Sequence, residues 1–176
     1  MPEEGQIQIH TENIFPIIKK CSGSIIKLIG DAIFAKFKSS EDSVACAISI
    51  QQSLREKNKL SSKKERIQIR IGLHAGHVIE KDNDLFGNDV NLGSRIENVA
   101  QPGCIAASKE LFDSIENARK ILHRTIGHVK LKNIPEPKLL IKIYLDQLDY
   151  NNESETDIHQ AFKEKGVQIV DINTYE

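Results

Sequence analysis

Two apolar runs, SIIKLI and AIFAKF, are separated by nothing but Gly30 and Asp31. A two-residue gap forces a tight reversal, so the runs are expected to pair as an antiparallel hairpin, with glycine supplying the turn's unusual backbone angles. The carboxylate of Asp31 then stands at the tip. Just upstream, Ile14, Ile17, Ile18 and Cys21 form a helical stripe that ends in the SGS turn of Ser22–Ser24, and Pro16 marks either its first turn or a kink. Before that stripe, QIQIH (Gln6–His10) alternates like a strand but abuts a helix, so both assignments stay open.

Beyond the hairpin, Ser39 and Asp42 resemble a capping box and open a helix carried by Val44, Ala47, Ile48 and Leu54. The polar stretch EKNKLSSKKER reads as a linker. In RIQIRIGLHAGHVIE the alternation of Ile67, Ile69, Ile71 and Leu73 predicts a central strand, a break near Gly76 and a second short strand. CIAAS predicts a strand whose Ser108 caps the helix KELFDSIENA. HVKLKNI and LLIKIYLDQL predict two last strands, split by the turn at Pro135–Pro137. From about Asp149 the character changes: NNESETD reads as an acidic linker, and QIVDINTY as one strand with nothing obvious to pair with. The expected organisation is therefore one domain over 1–148, then a linker and the possible start of a further domain over 149–176. The element order predicts an α+β fold with helices packed on a mixed, mainly antiparallel sheet.

Composition narrows the function classes. With 24 Lys+Arg against 25 Asp+Glu the formal net charge is -1, which argues against a nucleic-acid-coating or membrane-seeking surface. A hydrophobic fraction of 39% with 28% charged residues is that of an ordinary globular chain. Cys21, Cys46 and Cys104 are scattered in apolar surroundings and form no metal or disulfide pattern. No apolar run is long enough to span a bilayer, and a cytoplasmic setting is expected.

The stretch DLFGNDVNLGSR raises the chemical question. Asn88 is the expected N-cap and Asp89 a first-turn carboxylate of a helix running to about Ala100, before the QPG turn. Leu92, Ile96 and Val99 share its core-facing side. Asn91 and Arg95, four apart, share a neighbouring stripe near the helix start. An anion-friendly helix start with an amide and a guanidinium suits phosphate oxygens; a solvated polar face is the competing reading.

Four pieces in order, Lys27-x-x-x-Asp31 in IIKLIGDAIF, the strand RIGLHAG, the loop and helix DLFGNDVNLGSRIE, and HVKLKNI, resemble the class III nucleotidyl cyclase catalytic domain over Ile14–Leu145. That resemblance implies a ferredoxin-like cyclase homology domain converting ATP to cyclic AMP and pyrophosphate with Mg²⁺ or Mn²⁺. It implies Asp31 as one of two metal-binding aspartates, and Asn91 and Arg95 as the pair that orients the ribose and stabilises the transition state. It implies Lys27 and Asp84 as readers of the purine, with a carboxylate facing the adenine amino group and favouring ATP over GTP. Lys132, in LKNI, aligns with a lysine for the terminal phosphates, although Asn133 stands where the family has glycine. His74 and His77 read as structural.

One departure bears on activity. The family opens with a strand carrying F-x-D-[IV]-x-G-[FY], whose aspartate is the second metal ligand, and MPEEGQIQIHTEN contains no such segment. Loss of that strand would leave sheet edges open. Sites of this family form head-to-tail between two subunits, so the chain is expected to act as a homodimer or beside a full-length cyclase domain, completing one site with Lys27, Asp84, Asn91 and Arg95. The alternative is a cyclase-like module that dimerises or binds nucleotide without turning it over.

Overall fold

The computed structural model describes Gln8 and residues 10–170. A π-helical turn, His10–Ile14, leads into α1 (Phe15–Lys20), with Pro16 in the first turn, where a missing N–H costs nothing. Most of QIQIH lies outside the described residues. The hairpin forms as expected: β1 (Ser24–Ile29) pairs with β2 (Ala32–Lys36), Ile29 opposite Ala32, and Gly30 takes φ +59 in the two-residue turn. α2 (Ser40–Lys59) starts on Ser39, whose side chain accepts from the Asp42 N–H. It also absorbs the first four residues of the stretch read as a linker.

β3 (Ile71–Leu73) is much shorter than the alternation suggests. Ile67 is instead held through its backbone by the side-chain amide of Asn58, and Ile69 through its carbonyl by Gly103 and Gln51. β4 (Ile79–Lys81) and β5 (Asp84–Phe86) form a second hairpin around Asp82 and Asn83, both at positive φ, the pattern of a type I′ turn. Then come α3 (Asn88–Val99), β6 (Ile105–Ser108), α4 (Lys109–Asp113) on the Ser108 cap, β7 (His123–Val129) and β8 (Lys138–Ile143). α4 ends well short of the expected KELFDSIENA helix, with a 3₁₀ turn at Ala118–Lys120.

The main sheet runs β3-β6-β8-β7-β9, with β3 parallel to β6 and every other pairing antiparallel. The mixed, mainly antiparallel architecture is as expected, but β3 is an edge strand and not a central one. Both faces are covered. Along β6, Ile105 and Ala107 face Val44, Ala47 and Leu111 of α2 and α4, while Ala106 faces Leu92, Ile96, Ile158 and Phe162. A third cluster joins α1 and α2 to the first hairpin and to Ile67, Ile69 and Ile71. The hairpin thus shares a helical bed with β3 but no backbone ladder. Its residues are half-buried or exposed throughout, whereas all four residues of β6 are buried.

The segment read as an acidic linker is structured. α5 (Gln147–Asn151) and α6 (Glu155–Glu164) follow β8, and Ser154 and Asp157 close a full capping box at the start of α6. β9 (Ile169–Val170) finds the partner that QIVDINTY lacked, pairing with Val129 and His128 of β7. Ile158 and Phe162, one turn apart, enter the core, and Glu153 accepts from Lys142 and the Tyr144 hydroxyl. Spacing hid this packing because the acidic residues face outward on the same short helix.

Candidate active site

The first requirement of the expected site is that Lys27 and Asp84, 57 positions apart in sequence, should meet. They do: Lys27 Nζ lies 2.5 Å from Asp84 Oδ1, bridging the two hairpins. A second bridge, Lys36 Nζ to Glu80 at 2.6 Å, joins the same hairpins on β2 and β4. Asp84 also accepts from the Leu85 N–H at 2.7 Å, and hydrogen bonding by Lys27, then by that N–H, holds its carboxyl below the usual carboxylate range. The Lys27 ammonium lies 5.7 Å from the Phe34 ring and 5.8 Å from the Phe86 ring. The two hairpins also carry unburied apolar side chains: Leu28, Ile29, Ile79 and Phe86, with Val78 just before β4, are each at least 40% exposed. Exposed apolar side chains on neighbouring hairpins suit an interface.

Asn91 and Arg95 lie one turn apart on α3, Asn91 exposed and Arg95 half-buried. Leu92 and Ile96 are buried beside them, so the core fixes which way the helix faces. The cap differs from the expected one. Gly87, at φ 125, is the N-cap and offers no side chain, and Asn88 is already helical.

The helix start is instead held by Asp89. Its Oδ1 lies 2.7 Å from His74 Nε2, and its Oδ2 accepts from the His77 N–H at 2.9 Å. His74 Nδ1 lies 2.7 Å from the Ser108 hydroxyl, which accepts from the Leu111 N–H. The His74 contact, then the His77 N–H, lowers the Asp89 carboxyl. Gly76 permits this approach, since a Cβ there would come within 2.2 Å of the Asp89 carboxyl carbon. Sequence reasoning missed the chain from Ser108 through His74 to Asp89, because nothing in their spacing links a loop histidine to a first-turn aspartate 15 positions on.

Asp31 is exposed at the hairpin tip, and Lys132 is exposed in the turn between β7 and β8. No hydrogen bond or ion pair among the described residues joins either of them to the Lys27–Asp84 clasp. Asn133 takes φ +61, a left-handed conformation in which asparagine is the best substitute for glycine, so this departure from the family pattern preserves the turn. Among the described residues no group of three or more His, Cys, Asp or Glu could hold a metal ion. Asp31 alone does not make a divalent-cation site. Cys46 is a core thiol, which burial pushes up to about 12. No described helix is long and apolar enough to cross a membrane.

Comparison with known proteins decides the family. Residues 7–145 match the Adenylate and Guanylate cyclase catalytic domain. The chain belongs to that family. The "Putative adenylate cyclase 3" of Rhizobium meliloti is 31% identical over 126 residues, 72% of this chain and 22% of that protein. The crystal structure of an adenylate/guanylate cyclase/hydrolase from Silicibacter pomeroyi is 32% identical, covering 81% of this chain and 84% of that one, with TM-score 0.73. The adenylyl cyclase CyaB of P. aeruginosa shares the fold at 19% identity and TM-score 0.67, over 82% of this chain and 83% of that one. This cyclase chain spans about a fifth of the Rhizobium relative's length. The match ends at residue 145, so α5, α6 and β9 lie beyond it.

Proposed function

We propose that the chain supplies the nucleotide-reading half of a composite adenylate cyclase site, which converts ATP to cyclic AMP and pyrophosphate at the interface of two catalytic domains. The observation that carries this reading is the Lys27–Asp84 clasp, assembled from two separate hairpins at 2.5 Å. An adenine entering it exchanges one contact for two: the 6-amino group donates to the Asp84 carboxylate and Lys27 donates to a ring nitrogen. Guanine offers a carbonyl at that edge, which a carboxylate repels, so ATP is preferred over GTP. In the cyclisation the ribose 3′-oxygen bonds to the α-phosphorus and loses its proton, and the bond to the departing pyrophosphate oxygen breaks. Asn91 orients the ribose and Arg95 meets the charge that gathers on the α-phosphoryl oxygens. Lys132 serves the terminal phosphates. Mg²⁺ or Mn²⁺ is the expected cofactor, held at this composite site by the partner domain's pair of aspartates, while Asp31 is the single carboxylate this chain offers to the opposite site.

The exposed apolar side chains of Leu28, Ile29, Val78, Ile79 and Phe86, on and beside the hairpins that carry the clasp, support pairing with a second catalytic domain. The lone carboxylate at the hairpin tip favours a second reading, a module that pairs and binds nucleotide without turning it over. Cyclic nucleotide formation from ATP and from GTP separates the two. The chain is assayed alone and mixed with a family member that retains the F-x-D-[IV] strand and has its own Asn and Arg replaced by alanine. Cyclic AMP from the mixture alone is the expected result. Cyclic AMP from this chain alone overturns the composite site, and silence in both, with pairing verified, favours the binding module.

A further inference from the structure

α3 carries Asn91 and Arg95, yet its N-cap is a glycine with no side chain to hold the first turn. Asp89 ties that turn to the loop after β3, where it is held by the His77 N–H and by a histidine whose side chain is 5% exposed. We infer that His74 is a positioning residue for the proposed reaction, acting through Asp89 to fix the start of α3 and thereby the placement of Asn91 and Arg95. The inference rests on the reading of those two side chains given above.

The partners allow a continuous run of donors and acceptors along the network. Ser108 Oγ accepts from the Leu111 N–H, so its own hydroxyl proton is free to go to His74 Nδ1. In that arrangement His74 Nε2 donates to Asp89 Oδ1. Each link joins a different element. Ser108 ends β6 and caps α4, His74 follows β3, and Asp89 lies in the first turn of α3. Because β3 and β6 are parallel neighbours, His74 and Ser108 emerge at the same end of the sheet, beneath the start of α3. The Oδ2 contact to the His77 N–H adds a second tether from the loop, and Gly76 leaves no space between them.

Packing alone does not supply this control. The buried contacts of α3, Leu92 and Ile96, fix its facing but lie after the first turn. Asp89 ties that turn, which begins at Asn88, to the loop that follows β3. Misplacement of a reacting or stabilising group by about 1 Å costs up to about a hundredfold in rate.

Two variants and two readouts test this. His74→Leu fills the space but breaks both bonds; His74→Gln keeps an amide N–H within reach of Asp89 and gives up the Ser108 link. In the complementing mixture described above, His74→Leu is expected to lower kcat about tenfold to a hundredfold while KM for ATP moves less than about threefold, and His74→Gln to recover most of the loss. Hydrogen exchange of the free chain provides the second readout and needs no activity. His74→Leu should speed exchange at the Asn91–Leu92 amides at least about tenfold more than at Ile96–Ala100, with His74→Gln close to the parent. An even rise along α3, or a kcat that falls only with the folded fraction, overturns the positioning role. If the parent mixture makes no cyclic AMP, the composite-site reading fails, and the exchange pattern still decides whether His74 sets the helix start.

Discussion

Phe162→Ala tests whether the segment beyond the family match belongs to the fold. Phe162 is 2% exposed and shares one cluster with Ile158 of the same helix, Leu92 and Ile96 of α3, and Ile126 and Leu140 of the sheet. Truncating a buried phenylalanine removes its transfer free energy and leaves a cavity, a loss of about 3–5 kcal/mol. For a chain of this size each kcal/mol moves the midpoint by about 2–4 °C, so the expected fall in Tm is about 6–20 °C. Leu148→Ala is the control: Leu148 is 67% exposed on α5, and its removal should stay within about 0.5 kcal/mol. Far-UV circular dichroism on heating reads both. A Phe162→Ala protein melting within about 2 °C of the parent would refute the docking of α6, and return 149–170 to the linker that its acidic composition suggests.

Glu153→Ala removes the shared acceptor of Lys142 and Tyr144 and leaves both donors unpaired in a largely buried place, so urea unfolding should show a loss of about 1–3 kcal/mol. Asp84 has a lowered folded-state pKa, so its contribution to the hairpin clasp is complete above the unfolded value of about 3.9 and is lost only as pH falls through the lower folded value. An NMR titration of the Asp84 carboxyl should therefore find a midpoint below about pH 4, and a midpoint above it would contradict the clasp. Asp84→Asn replaces the carboxylate that repels a guanine carbonyl with an amide that can donate to it. In the complemented enzyme the ratio of kcat/KM for ATP over GTP should fall by about tenfold or more, a loss comparable to one good base contact.

Much of the fold was legible where the signal was local. The Gly30–Asp31 turn, the Ser39 and Ser108 caps and the Leu92–Ile96 stripe each depend on residues within a few positions, and each forms as expected. The failures come from non-local competition. Ile67 and Ile69 alternate like a strand, but the side chains of Asn58 and Gln51 take up their backbone groups, so the ladder begins only at Ile71. In NNESETD the acidic residues masked a capping box, since Ser154 and Asp157 carry the same signal that Ser39 and Asp42 do.

The site divides in the same way. The stripe of Asn91 and Arg95 can be read from helical spacing, but nothing in spacing brings Lys27 to Asp84; only the family resemblance paired them, and the structure sets them 2.5 Å apart. Asn88 looked like the cap because side-chain capping dominates helix starts, and it lost to a glycine at φ 125 combined with a carboxylate reaching back to His74. That network joins residues 15 and 34 positions apart, too far for any periodicity to show.

The central claim is that this chain's Arg95 acts at a site completed by another domain. The most direct test is kcat for cyclic AMP formation by the complementing mixture with Arg95→Ala in this chain, against the same mixture with the parent. Loss of a transition-state charge partner predicts a fall of about a hundredfold to a thousandfold, with pairing unchanged. A mixture that keeps its rate would contradict the account, because the guanidinium doing the chemistry would then belong to some other residue.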